Sequence, residues 1–177
     1  MTEQLDTILD DDYLGDVTSL AMDDVRERRN ECRDLETGVS YLRRMVQGRL
    51  DVVAAERVRR AEGGDGEELE DLIARLPEVL AGNTRSAGMG RLPSSLGTGA
   101  LDDGLVAELE GIVSSSHITE PHSLSDDDLA AVHDQLAEFE TKVSGLRRQL
   151  FERIDAFEAE LTRRYRTGEA SVDSLLS

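Results

Sequence analysis

Leu35-Glu36-Thr37-Gly38-Val39-Ser40-Tyr41-Leu42-Arg43-Arg44-Met45-Val46 is the stretch that decides the fold. Its apolar residues, Leu35, Val39, Leu42 and Val46, advance in alternating steps of four and three. That rhythm places them on one seam of a helix that packs against another helix. Working outward, the seam takes in Val25, Cys32 and Val53, with Arg28 and Arg49 interrupting it. Calling Val39 heptad position a puts Leu35 and Leu42 at d. The pattern predicts a first long helix over residues 18–61, stopped by Glu62-Gly63-Gly64-Asp65-Gly66.

The same seam is written a second time. Leu129, Val132, Leu136, Phe139, Val143, Leu146, Leu150 and Phe157 continue it over residues 125–166, with Val143 again at a. Ser125 fits an N-cap, and Asp126, Asp127 and Asp128 fill a first turn where acids oppose the helix dipole. The basic turn Arg163-Arg164-Tyr165-Arg166 and then Gly168 mark the end.

The polar residues repeat too. Glu36, Ser40, Arg43, Gln47 and Asp51 recur 104 residues later as Glu140, Ser144, Arg147, Phe151 and Asp155. Between residues 36–60 and 140–164, 13 of 25 positions are identical, and most are polar, so a shared apolar rhythm does not explain them. Steps of four, three, four and four keep the five side chains within roughly 80° of arc, on a stripe about 22 Å long. Against the seam, Glu36 and Arg43 fall at e, Ser40 and Gln47 at b, and Asp51 at f; the second copy has the same phase. A solvated face with intrahelical pairs such as Glu36–Ser40 and Gln47–Asp51 explains one stripe. It gives no reason for two stripes in one register. In an antiparallel pair e faces e, so both stripes border one groove with pseudo-twofold symmetry.

The expected architecture is therefore all-α: a long antiparallel two-helix coiled coil, with one or two short helices and a flexible loop in the connection. Residues 1–17 form an acidic N-terminal segment, read as flexible, although Leu5, Ile8, Leu9, Tyr13 and Leu14 suit a docking segment. In the connection, 62–124, short helices are expected over 67–80 and 103–113, a Gly-, Ser- and Pro-rich loop over 83–100, and a plain linker over 114–123. Residues 167–177 form a tail.

Composition narrows the function classes. Aromatic residues are 3% and Trp is absent, which is thin for a globular core and ordinary for helices packed along a seam. The formal charge of -18 argues against direct nucleic-acid binding and suits a partner with a basic face, although plain solubility would also explain it. No apolar run reaches the length that spans a membrane, and the start lacks a basic signal-peptide region, so a cytoplasmic protein is expected. Cys32, the only cysteine, lies on the seam and reads as a core thiol. His117, His122 and His133 are scattered, and no activated nucleophile is evident, so catalysis is not expected.

The groove's inventory suits a guanine nucleotide. An arginine fork matches phosphate, or O6 and N7 of guanine, and a carboxylate can accept from guanine N1–H and the exocyclic amine. A metal fits poorly, because neither stripe holds a histidine and the carboxylates are dispersed.

These residues resemble the cyclic di-GMP signature of the RsiG family of actinobacterial anti-sigma factors, E-x3-S-x2-R-x3-Q-x3-D on each of two antiparallel helices. Glu36, Ser40, Arg43, Gln47 and Asp51 match in full; Glu140, Ser144, Arg147 and Asp155 match, with Phe151 at the Gln position. The resemblance implies that cyclic di-GMP binds as a stacked dimer, with no metal. It also implies that the nucleotide-bound protein sequesters a WhiG-type sigma factor, a sporulation regulator. The chain is expected to be monomeric before that complex forms. The alternative is a structural or adaptor coiled coil without a nucleotide ligand.

Overall fold

The computed structural model describes residues 3–61 and 101–168. Two short helices, α1 (Glu3–Leu9) and α2 (Asp11–Leu14), and a 3-10 turn (Val17–Ser19) lead into the long helix α3 (Met22–Ala61). Helices α4 (Asp103–Ile112) and α5 (Ser115–Thr119), then a second 3-10 turn (Pro121–Ser123), lead into the long helix α6 (Asp126–Thr167). The described residues contain no strand.

α3 and α6 pair antiparallel. Arg26 donates to Tyr165 near one end and Arg60 to Asp126 at the other, while Arg33 and Glu158 pair between them. The heptad reading holds along both helices. Val25, Cys32, Leu35, Val39, Leu42, Val46 and Val53 are buried, as are Leu129, Leu136, Phe139, Val143, Leu146, Leu150 and Phe157; Val132 is partly buried against them. Burial pushes the Cys32 thiol up to about 11, so it stays a protonated core residue. Ser125 caps α6: its hydroxyl oxygen accepts from the Asp128 amide at 3.1 Å and its proton goes to the Asp128 carboxylate at 2.6 Å. Gly168, at φ 75°, closes the other end in the left-handed conformation that favours glycine.

Two expectations are corrected. The N-terminal segment, read as flexible, folds as α1 and α2 with Leu5 and Ile8 fully buried. Residues 114–123, read as a plain linker, form α5 and the second 3-10 turn. The helix expected over 67–80 and the loop over 83–100 lie outside the described residues.

Both corrections have one cause, visible in the repeat. The two 3-10 turns lie 104 residues apart, as do the starts of α2 and α5 and of α3 and α6. The duplicated unit is a whole arm-plus-helix, and each long helix holds the other unit's arm. Arg49 of α3, buried at a d position, donates to the carbonyls of Leu109 (3.3 Å) and Val113 (2.6 Å) and pairs with Glu110. Its counterpart Arg153 of α6 donates to the carbonyls of Leu9 and Asp10. Further along, Arg60 donates to the carbonyls of Pro121 (3.2 Å) and Leu124 (2.9 Å), and Arg164 to those of Val17 (3.1 Å) and Thr18 (3.3 Å). The last carbonyls of a short helix have no partner within it, and a guanidinium satisfies several at once.

Arg60 and Arg164 are themselves steadied by buried acids. Arg59 and Arg60 hold the Glu56 carboxyl down to about 2, and Arg163 and Arg164 do the same to Glu160. Arg28, the other apparent fault in the seam, donates to the Tyr13 carbonyl at 2.5 Å and covers its ring at 5.1 Å. Tyr13 then packs edge-on against Phe157 and donates to Glu31 at 2.5 Å.

Candidate functional site

Among the described residues, the arms settle which side of the coil stays open. Glu31 and Lys142, both at g positions, meet Tyr13 of α2 and Glu108 of α4. The e side carries the two stripes. Val39, Leu42, Val143 and Leu146 are buried in the seam beneath them.

Antiparallel pairing of e with e sets Arg43 against Glu140 and Arg147 against Glu36. The Arg43 Nε donates to Glu140 Oε1 at 3.0 Å and to Ser144 Oγ at 2.8 Å. The Arg147 Nε donates to Glu36 Oε1 at 2.9 Å and to Ser40 Oγ at 2.8 Å. Each serine passes its own proton to the carboxylate one turn earlier, Ser40 to Glu36 at 2.5 Å and Ser144 to Glu140 at 3.1 Å. The result is two reciprocal half-sites, each an arginine from one helix with a serine and a glutamate from the other.

In each half-site the arginine uses only its Nε. The terminal nitrogens of Arg43 and Arg147 have no hydrogen-bond partner among the described residues, and both side chains are about one-third exposed, at 33% and 37%. Each is therefore a held fork with its bidentate edge unused. That edge can take a phosphate, a carboxylate or two acceptors of a base. The glutamates are mostly covered, at 22% and 17% exposure.

The pseudo-symmetry fails at one pair of positions. Gln47 donates to Glu140 Oε1 at 3.1 Å, adding a third donor to that oxygen. Its counterpart Phe151 instead lies under Arg147, with the guanidinium carbon 4.8 Å from the ring centroid. Gln47 steadies a carboxylate and Phe151 steadies an arginine.

Eight of the ten residues singled out in the sequence thus come together: Glu36, Ser40, Arg147 and Phe151 in one half-site, Glu140, Ser144, Arg43 and Gln47 in the other. Asp51 and Asp155 are exposed and have no partner among the described residues. Two details of the sequence reading change. Gln47 reaches across to Glu140 rather than along the helix to Asp51. Glu36 and Glu140, expected as free acceptors for guanine, are each paired with an arginine of the facing helix. The flanking Arg148 is a solvated residue paired with Glu152, and Arg44 is exposed.

The sequence reading did not foresee that Arg49, Glu56, Arg60, Arg153, Glu160 and Arg164 hold the arms. Their signal was present: charged residues at matching a and d positions of both helices, where a simple coil would have apolar ones. Surface hollows elsewhere do not compete with the groove. One of about 520 Å³ is lined by Glu158, Thr162, Arg163 and Arg166, and one of about 470 Å³ by Glu3, Thr7, Tyr13 and Glu31. Neither shows the doubled constellation. Among the described residues no group of three or more His, Cys, Asp or Glu is placed to hold a metal ion, and no helix is long and apolar enough to cross a membrane.

A family model described as RsiG-like matches residues 11–80 and 116–177 of this chain. No curated protein matches it. The match spans both arms' last turns and both long helices, and the chain belongs to the RsiG-like family. That is a family of regulatory anti-sigma factors, which makes a sigma factor the partner of this protein.

Proposed function

We propose that this protein is a cyclic di-GMP-dependent anti-sigma factor that holds a WhiG-type sigma factor in the nucleotide-bound state. The observation that carries this reading is the pair of reciprocal half-sites, each with an idle arginine fork beside a carboxylate. Guanine presents two acceptors, O6 and N7, on one edge, and amine and N1–H donors next to them. An arginine fork takes the acceptors, and a carboxylate takes the donors once it turns from the arginine. A ligand that supplies both at once leaves no buried charge unpaired. A simple anion satisfies the arginine and strands the glutamate, which is costly. Two guanine dinucleotides related by the pseudo-twofold axis would fill the groove as a stacked pair. Asp51 and Asp155, exposed at the outer ends of the stripes, are the remaining acceptors.

The nucleotide would then form part of the surface seen by the sigma factor. The chain's charge of -18 suits a partner whose DNA-reading surface is basic. Linkage makes the coupling reciprocal: the sigma factor tightens nucleotide binding by the same factor by which the nucleotide tightens sigma binding. Calorimetric titration of cyclic di-GMP, cyclic di-AMP and GTP, each with and without a WhiG-type sigma factor, tests this. Selective binding of cyclic di-GMP, tightened by the sigma factor, is expected. Sigma binding of equal strength without nucleotide would leave a constitutive anti-sigma factor and remove the switch.

One observation favours the adaptor alternative. Glu36 and Glu140 already have partners without any ligand, so the stripes also work as a cross-helix clamp. A clamp tolerates reversal of its charges and a nucleotide site does not, and that difference separates the two readings.

A further inference from the structure

We infer that Phe151 makes the two half-sites unequal, acting as an aromatic platform that positions Arg147 and receives the face of one purine. This rests on the nucleotide reading of the groove and adds what that reading leaves open, namely which half-site dominates and why.

The pseudo-twofold axis makes the comparison internal. Arg43 and Arg147 have the same serine and glutamate partners at nearly the same distances. The difference between the half-sites is Gln47 against Phe151. In the first, Arg43, Ser144 and Gln47 all donate to one oxygen of Glu140, so an incoming donor competes with three groups. In the second, Glu36 Oε1 receives two, from Arg147 and Ser40. Releasing that carboxylate for a base disturbs fewer bonds.

Phe151 acts on the arginine as well. Its ring lies 4.8 Å from the Arg147 guanidinium carbon and backs the fork, leaving both terminal nitrogens unpartnered among the described residues. A base bound in the plane of that fork extends over the same ring. Stacking of a base on an aromatic side chain multiplies affinity by a factor of about 5 to 150. The Gln47 half-site has no such surface. The Arg147 half-site therefore holds its purine the more tightly, and Phe151 is a specificity-determining residue for an aromatic base rather than a substitute for a lost amide contact.

The test compares the full-length chain with its F151L, F151Q and Q47F variants by calorimetric titration with cyclic di-GMP. Phe151 stands at a b position, half-buried and outside the seam, so all variants should match the parent in helicity. F151L keeps the apolar bulk without the π face, and it should weaken binding about tenfold. F151Q restores the residue found at the matching position of the first stripe, yet it should weaken binding to a similar degree. Q47F should strengthen it. Proton spectra of the bound nucleotide should show a guanine H8 resonance displaced upfield by the Phe151 ring, with the displacement lost in F151L. Unchanged affinity and an unchanged H8 shift in F151L would overturn the inference while leaving nucleotide binding intact. Absence of any binding by the parent chain, with or without the sigma factor, would overturn the nucleotide reading and this inference together.

Discussion

Reversing one ion pair of the groove separates a clamp from a ligand site. Arg43 and Glu140 meet at 3.0 Å with side chains 33% and 22% exposed. Two unit charges about 4 Å apart interact by about 1 kcal/mol in water and about 4 kcal/mol at an effective dielectric of 20. Partial exposure puts this pair toward the weaker limit, where measured exposed pairs contribute about 0.2–1 kcal/mol. R43E removes that attraction and sets a carboxylate against Glu140, for a total loss of about 1–2 kcal/mol. In a chain of this size the melting temperature should fall by about 2–8 °C. Adding E140R restores an attraction of reversed polarity, and most of the fall should be recovered. Nucleotide binding should not recover. The half-site loses its fork, which is worth about 1–3 kcal/mol for a bidentate contact, so affinity drops about 5- to 150-fold. Thermal melts followed by circular dichroism and calorimetry with cyclic di-GMP read the two quantities separately. Wild-type affinity in R43E/E140R would refute the ligand assignment and leave the stripes as a structural clamp. Failure of the melting temperature to recover would refute the pairing itself.

Three further outcomes follow from the arms, the buried acids and the cap. R153A strands the carbonyl of Leu9 and R49A that of Val113, whereas Asp10 and Leu109 keep the amides of Tyr13 and Val113; each variant should cost about 1–3 kcal/mol. Hydrogen exchange should accelerate in α1 and α2 for R153A and in α4 for R49A, and the reverse assignment would contradict the crossed docking. Glu56 sits near 2 in the folded chain against 4.5 ordinarily, so its contribution is present above pH 4.5 and disappears as pH falls toward 2. The melting-temperature deficit of E56Q should therefore be largest near neutrality and shrink through that window; a deficit that grows on acidification would reverse the sign. S125A should cost about 1 kcal/mol, seen as a lower denaturant midpoint at unchanged slope.

The long helices were legible because forty-residue elements repeat their apolar period often enough to fix both type and phase. The antiparallel pairing was legible from the shared e phase of two polar stripes. The arms were legible only in part: a helix was expected over 103–113, where α4 lies, but α1, α2 and α5 were not, for a physical reason. α1 has seven residues and α2 four, too short for periodicity to speak, and what holds them is written on the partner unit's long helix. Arg28 and Arg49 looked like faults in a seam because the carbonyls they satisfy come from distant sequence. The cross-helix pairing of Arg43 with Glu140 and of Arg147 with Glu36 needed the exact stagger of the helices, which heptad phase alone leaves open by multiples of seven residues. The stacking of Phe151 on Arg147 also depended on rotamers that spacing does not fix.

That stagger is what the polar residues of the seam determine. An apolar seam tolerates a slip of one heptad, since Val and Leu meet Val and Leu again. Such a slip moves one helix about 10 Å along the other. It would carry Arg43 away from Glu140 and Arg147 away from Glu36, and neither half-site would survive. The same slip would pull Arg49 from the carbonyls of Leu109 and Val113, and Arg153 from those of Leu9 and Asp10, so two buried guanidinium groups would lose the arm acceptors they now hold. Breaking a buried charged contact costs about 3–5 kcal/mol, more than the apolar contacts alone would charge for the slip. The arms thus keep the two stripes level. A protein that must present two matched half-sites has reason to place arginines where a simpler coiled coil would place leucines. R49L together with R153L should then yield a coil that is still helical but free to shift. Spin labels at positions 33 and 158, adjacent in the present stagger, should report several distances in that variant and one in the parent. A single unchanged distance in R49L/R153L would show that the apolar seam sets the register without help.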